Sequence, residues 1–245
     1  YQLLINQERS FRLQGAMATT QQGMRTALEV LNGELREVAA APSGGTSGSD
    51  IRAMSSSSIT FRAFRKIGVI CASPITTNTI QVRARGAGFE ATDSILVLMA
   101  DETWDNFSLT SAPTASTVCG GDWGTFGTGQ VLATNADVMA AGAVVGSAVR
   151  GFRWMTYQLH QDGNEWLLGR HDHSTGQTDL LIGPLAAPGD GGLVFRYFDV
   201  NGNPTTTPTQ VVRIEITVKG VSHTLGAGSG TYSDSLTSQI FLRNN

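Results

Sequence analysis

The first proline of this 245-residue chain is Pro42. Ahead of it, Met24, Ala27, Leu28, Leu31, Leu35 and Val38 recur at spacings of three and four, which puts all six on one face of an α-helix. Gln22, Arg25, Glu29, Asn32 and Arg36 take the opposite face, with Arg36 expected in the last turn, where a cation suits the helix dipole. The first half of the segment is different. Phe11, Leu13 and Met17 are sparse among Gln14, Thr19, Thr20, Gln21 and Gln22. Gly15 and Gly23 each cost about 1 kcal/mol relative to alanine inside a helix. The pattern predicts a helix of roughly 60 Å, its second half docked on a domain and its first half a projecting rod.

Residues 41–50 (APSGGTSGSD) end the helix and open a flexible connection. The organisation read from the sequence is an N-terminal helix over 1–40, a linker over 41–57 and a β-rich domain over 58–245. Alternation predicts strands at 58–64 (Ile59, Phe61 and Ala63 on one face), 79–85 (Ile80, Val82, Ala84), 152–160 (Arg153, Met155, Tyr157, Leu159), 211–218 (Val212, Ile214, Ile216, Val218) and 236–243 (Leu236, Ser238, Ile240, Leu242). The apolar run at 94–100 and segments 165–170, 179–182 and 193–198 are further strands, the first of these three following an Asp162-Gly163-Asn164 hairpin signal. Residues 135–149 fit a short helix or a buried strand. The expected class is α+β, a long helix packed on an antiparallel sheet that must bury one face, with the Met24–Val38 stripe as its lid.

Charged residues make up 15% of the chain and 29 positions are glycine, a balance closer to extracytoplasmic β proteins than to cytosolic enzymes. The net charge of −3 and the lack of a Lys/Arg block give no footprint for nucleic acid. Cys71 and Cys119 are either a disulfide, which that balance favours, or two buried thiols.

Searching for reactive constellations yields little. Gly226–Gly230 lacks the serine of a nucleophile elbow. Gly86-Ala-Gly-Phe-Glu-Ala91 has dinucleotide-loop spacing, but a strand and not a helix is expected after it, so it reads as a turn. His171 and His173 share a face of a strand without an evident third metal ligand. Asp199-Val-Asn-Gly-Asn203 has Pro204 where a calcium loop needs glycine, and reads as a hairpin turn at Asn201-Gly202. Asn106-Phe-Ser108 matches a glycosylation acceptor. No acid–base pair stands out, and the chain reads as a non-enzyme without cofactor or metal.

The residues at 7–22 (QERSFRLQGAMATTQQ) and 24–38 (MRTALEVLNGELREV), the strand at 57–65 (SSITFRAFR), the late strands at 192–199 and 212–218 and the ending 236–244 (LTSQIFLRN) together resemble type IV pilin-like proteins, specifically minor pilins of the PilW kind and J-type minor pseudopilins of type II secretion. The resemblance covers the helix and the last fifty or so residues; 102–151 align with nothing. It implies a pilin-like fold and an inner-membrane-anchored precursor whose domain lies in the cell envelope. Tyr1–Ile5 would then be the trailing end of an apolar segment carried upstream.

The resemblance implies a structural minor subunit that helps prime assembly and sits near a filament tip. Leu3, Leu4, Phe11, Leu13 and Met17 would meet the helices of other minor subunits and of the major subunit. The alternative is an adhesin-like module that binds a surface ligand through residues 101–129, with Trp104 and Trp123 as the site.

Overall fold

The structure, a computed structural model, describes residues 2–40, 48–119, 127–222 and 232–242. Helix α1 spans Gln2–Leu35. Arg36 therefore falls in the turn after the helix and not in its last turn. The chain leaves through Val38, whose N–H donates to the Leu35 carbonyl at 3.2 Å. It is then tied to the first strand: the Ala39 N–H donates to the Asp50 carboxylate at 2.9 Å, and the Asp50 N–H donates to the Ala39 carbonyl at 3.0 Å.

After Asp50 the described residues are strands and turns with two short 3-10 helices, Pro188–Asp190 and Pro208–Gln210. The strands are β1 (Ile51–Met54), β2 (Ser58–Ala72), β3 (Thr79–Ala84), β4 (Ser94–Leu98), β5 (Trp104–Ser108), β6 (Thr114–Ala115), β7 (Thr128–Ala133), β8 (Ala148–Asp162), β9 (Glu165–Asp172), β10 (Gln177–Leu185), β11 (Leu193–Phe198), β12 (Arg213–Ser222) and β13 (Tyr232–Phe241). All the pairings are antiparallel, and they run β11-β12-β10-β9-β8-β2-β3-β7-β6, with β1 on β2, β13 on β12, and β4 joining β5 to β8.

This corrects the expected α+β, pilin-like class. The chain is a mostly β protein with a single α-helix among its described residues, and it is richer in strands than that fold. The reason is the length of β2 and β8, fifteen residues each. They pair from Ser58↔Gln158 to Val69↔Ala148 and extend beyond the part of the sheet that the helix covers. The far edge of β8 is shared: β9 takes Met155–Asp162 and β4 takes Val149–Phe152. Residues 135–147 form neither helix nor strand but turns, which place Val138 and Ala143 in a core.

Two apolar clusters result. In the first, Met24, Ala27, Leu28, Leu31, Leu35 and Val38 meet Ile59, Phe61, Ala63, Met155, Tyr157, Ile214, Ile216, Val218 and Ile240. Phe61 and Tyr157 stack at 5.7 Å between ring centroids. Opposite faces of these strands carry polar residues, the alternation expected of a half-buried sheet. In the second cluster Ile70, Ile80, Val82, Ala84, Phe89, Ile95, Val97, Phe107, Leu132 and Val149 pack together without the helix. Cys71 and Cys119 are disulfide-bonded beside it.

The clusters meet where Phe89 lies on β2 and β8. A Cβ on Gly68 or on Gly151 would come within 2.9 Å of its ring. Gln130 fixes the Phe89 backbone, accepting from its N–H at 2.8 Å and donating to its carbonyl at 3.2 Å. Gly86 and Gly88, at φ of 70° and 78°, form the turn that delivers Phe89; β4 follows, and no helix.

Candidate functional site

Contact between α1 and the sheet begins at Thr20. There the helix crosses Gly220, whose absent side chain leaves room for Thr20 and Met24. Side-chain hydrogen bonds run down its length: Gln21 to Asp234 at 3.3 Å and Asn32 to Ser238 at 3.0 Å. Ion pairs hold its far end, Glu34 with Arg65 at 2.7 Å and Glu37 with Arg150 at 3.7 Å. Arg65 reaches Glu34 because it is the extra residue of a bulge in β2, between the pairs Phe64↔Phe152 and Lys66↔Gly151.

Before Thr20 the helix continues without such anchors. Gln7, Glu8, Ser10, Arg12, Gln14, Ala18 and Thr19 are exposed, and Phe11 is 74% exposed. Leu13 and Met17 are half-buried and extend the docking stripe upward at a spacing of four. Phe11, two residues before Leu13, points to a different side. Of the residues expected to meet partner helices, Phe11 is thus the one turned to solvent; the side chains of Leu3 and Leu4 lie outside the described residues.

The face of the sheet away from the helix holds a stack the alternation of single segments did not reveal. Arg150 sits over Phe64 at 3.7 Å; Phe64 and Phe152 are 6.0 Å apart; Arg62 lies over Phe152 at 4.9 Å and over Trp154 at 5.0 Å; Arg52 covers Trp154 at 5.5 Å. Only the register Phe64↔Phe152 and Arg62↔Trp154 brings them together. The one available signal was residues of matching type at 62 and 64 and at 150, 152 and 154. Beneath the stack Arg62 pairs with Asp50 at 3.1 Å, their side chains 4% and 8% exposed. Burial raises the Asp50 pKa above its ordinary value, against the Ala39 N–H and the Arg62 charge, and burial lowers that of Arg62.

Next to the stack, His171 and His173 stand 4.9 Å apart on one face. His173 Nε2 hydrogen-bonds Thr156 at 2.7 Å and His171 Nδ1 hydrogen-bonds Thr178 at 2.9 Å. Burial, His171 and Arg52 all lower the His173 pKa. Each ring thus has one nitrogen committed to a threonine. Among the described residues no three His, Cys, Asp or Glu side chains gather to hold a metal ion. The Asp199 carboxylate accepts from the N–H groups of Asn201 and Asn203 at 2.9 and 2.8 Å, a turn and not an open calcium loop.

Past the C-terminal end of the helix, Arg153 donates to Glu90 at 2.6 Å, Asp93 at 2.8 Å and Asp172 at 3.2 Å, and Lys66 donates to Glu90 at 2.7 Å. Lys66, Glu90, Arg153 and Asp172 line a cleft of about 370 Å³ with Arg65, Arg170 and Asp179. Its charges satisfy one another: Arg170 pairs with Asp179 at 2.7 Å. Tyr157 is pushed up to about 12 by burial and by the charge of Glu34, so its phenol stays protonated and is no base.

The stretch expected to form an adhesive loop contains two short strands and the start of a third among its described residues. Trp104 opens β5 and is half-buried, β6 follows, and Cys119 anchors the end; Trp123 lies outside the described residues, as do His223 and Gly226–Gly230. No described helix is long and apolar enough to cross a membrane. No protein-family model, curated protein or solved structure matches this chain.

Proposed function

We propose that this chain is a structural subunit of an envelope filament, of the kind represented by minor pilins and type II secretion pseudopilins. The leading half of α1 packs beside helices of other minor subunits and of the major subunit, and the β domain is carried outward. What supports this most is the change along α1 at Thr20. Residues 20–38 are bound to the sheet by apolar contacts, hydrogen bonds and two ion pairs. Residues 2–19 continue as helix for roughly 27 Å with most of their described side chains in solvent.

A helix of that length gains most of its stability from packing an apolar face. The leading half buries little, and it carries Phe11 on the side away from the domain. A neighbouring helix would cover it, driven by apolar burial. The reading rests on the helix and on the resemblance of residues 7–38, not on the fold. The Cys71–Cys119 disulfide supports an oxidising compartment outside the cytoplasm.

The test is removal of residues 1–18, which spares Thr20 and Gln21, followed by binding to the minor and major subunits of a filament system. Binding should be lost while the melting of the β domain is unchanged, and Phe11→Ser should weaken it. Unchanged binding of the truncated chain overturns the reading.

A further inference from the structure

Where the start of β9, the end of β10 and the end of β12 diverge, a second cleft encloses about 420 Å³, within the roughly 300–1,000 Å³ usual for small-ligand sites. Buried Leu185 and half-buried Trp166 supply its apolar lining, and Asn164, Asp190, Lys219 and Ser233 surround them. Leu185 also belongs to the first core, the one the helix covers.

Trp166 differs from Trp154. The ring of Trp154 is covered by two arginines and meets Phe152 edge-on. The Trp166 side chain has no hydrogen bond, stacked ring or cation from any described residue. An indole in a cleft ordinarily has a partner for its N–H and for its face. Among the described residues neither has one, and a ligand in the cleft would supply both.

The polar groups narrow what that ligand is. Asp190 and Lys219 carry opposite charges, and Lys219 already donates to the Asp190 carbonyl at 3.4 Å. The wall is therefore balanced and favours neither an anion nor a cation. Asn164, Asp190 and Ser233 are exposed; the amide and hydroxyl both donate and accept, and the carboxylate accepts. A ligand with polar groups of its own can hydrogen-bond them in place of water.

From this arrangement we infer that the cleft binds a neutral saccharide. One C–H face of a sugar ring stacks on the Trp166 indole, and ring hydroxyls exchange hydrogen bonds with the Asn164 amide, the Asp190 carboxylate and the Ser233 hydroxyl. The inference is independent of the assembly reading, because no residue of α1 lines the cleft.

The experiment uses the full chain, ¹⁵N-labelled, and follows the Trp166 indole N–H resonance, assigned with Trp166→Phe, against cellobiose, lactose, maltose and N,N′-diacetylchitobiose up to about 50 mM, a range that reaches millimolar affinities. At least one sugar should shift that resonance saturably. Asn164→Ala and Asp190→Ala, both at exposed positions, should each weaken the response roughly tenfold, and Trp104→Phe should leave it unchanged. An indole resonance unmoved by all four sugars overturns the proposal. So does a saturable shift that persists at unchanged affinity in the Asn164→Ala/Asp190→Ala double variant.

Discussion

The backbone N–H of Gly220 donates to the Met24 sulfur across 3.1 Å, so that α1 side chains rest directly on the β12 backbone. A Cβ on Gly220 would approach Met24 Cγ to 3.0 Å and run into Thr20 as well. The helix can lie this close to the strand only because that position is glycine. Gly220→Ala should destabilise the chain by about 1–3 kcal/mol through overpacking, and Gly220→Val by more. Urea unfolding checks this. A wild-type midpoint for Gly220→Val would mean the helix is not seated here.

A second close approach joins the two cores. The Phe89 ring lies on Gly68 and Gly151, which face one another diagonally across β2 and β8. Gly151→Ala must displace the ring or Lys66, and a loss of about 1–3 kcal/mol is expected. Phe89→Ala leaves a cavity beneath Gln130 and should cost about 3–5 kcal/mol. Combining the two should cost less than their sum, since the ring that the alanine would strike is gone. A double-mutant cycle on thermal unfolding reads this directly, and strict additivity would contradict the contact.

The first core was legible in the sequence; of the second only the strands at 79–84 and 94–98 were, for a physical reason. Met24, Leu28, Leu31 and Leu35 keep a helical period, and Ile214, Ile216 and Val218 keep a period of two, so each segment announces its buried face alone. In the second core, Trp-Asp-Asn-Phe-Ser at 104–108 and Thr-Gly-Gln-Val-Leu-Ala at 128–133 have little alternation. They are strands because β4 and β3 offer them an edge. The expected α+β class failed at this point, since these unannounced strands enlarge the sheet beyond the helix. Arg62 and Trp154 read as the polar face of their strands. They form a stack only once the β2–β8 register aligns them, and that register is a long-range property. The Trp166 cleft needs three strands from distant parts of the chain.

Acid should weaken the fold through the Arg153 cluster. The Lys66 hydrogen bond, with that of Arg153, holds the Glu90 carboxyl below the usual carboxylate range. Burial works against Asp172, but the Ser174 N–H and Arg153 outweigh it and hold this carboxyl low too. A carboxyl depressed on folding adds stability above its unfolded pKa, near 4, and loses it as pH falls through the lower folded value. Unfolding free energy should therefore decline below about pH 4. Glu90 is 56% exposed, so solvent screens its share and Asp172 should dominate. Arg153→Met should flatten the decline between pH 6 and pH 3. An unchanged slope in that variant would remove Arg153 as its cause.

Reduction of Cys71–Cys119 opens a link between residues 48 apart in sequence. The chain-entropy account assigns such a link about 4 kcal/mol of stability. The Arg83 guanidinium also donates to the Cys119 carbonyl, and Ser116 donates to Gln81 at 2.8 Å, so the segment has other anchors on β3. Reduced protein should therefore keep its fold at neutral pH while its urea midpoint falls. Faster amide exchange should be confined at first to residues near 114–119 and β7. Exchange that rises equally in α1 would show that the disulfide supports the whole molecule.

The Asp50–Arg62 pair gives the sharpest test of how the helix exit is fixed. Both side chains are nearly inaccessible, and burial shifts both groups toward their neutral forms. Pairing therefore does not fully offset desolvation, and a single substitution leaves the other charge in a dry site. Arg62→Met should cost about 3–5 kcal/mol. Asp50→Asn/Arg62→Met should recover most of that loss, because asparagine can still accept from the Ala39 N–H while neither charge remains. The pH dependence separates this account from simple loss of the arginine stack on Phe152 and Trp154. In Arg62→Met the Asp50 carboxyl loses its cation and its pKa rises further. A carboxyl raised on folding adds stability below its unfolded pKa and loses it as pH rises through the folded value. The Arg62→Met defect should thus shrink from pH 7 to pH 4 and be absent of that trend in the double variant. Urea denaturation of the three variants at both pH values decides the matter: a defect in Arg62→Met that is equal at pH 7 and pH 4 assigns the loss to the broken stack, not to the buried carboxylate.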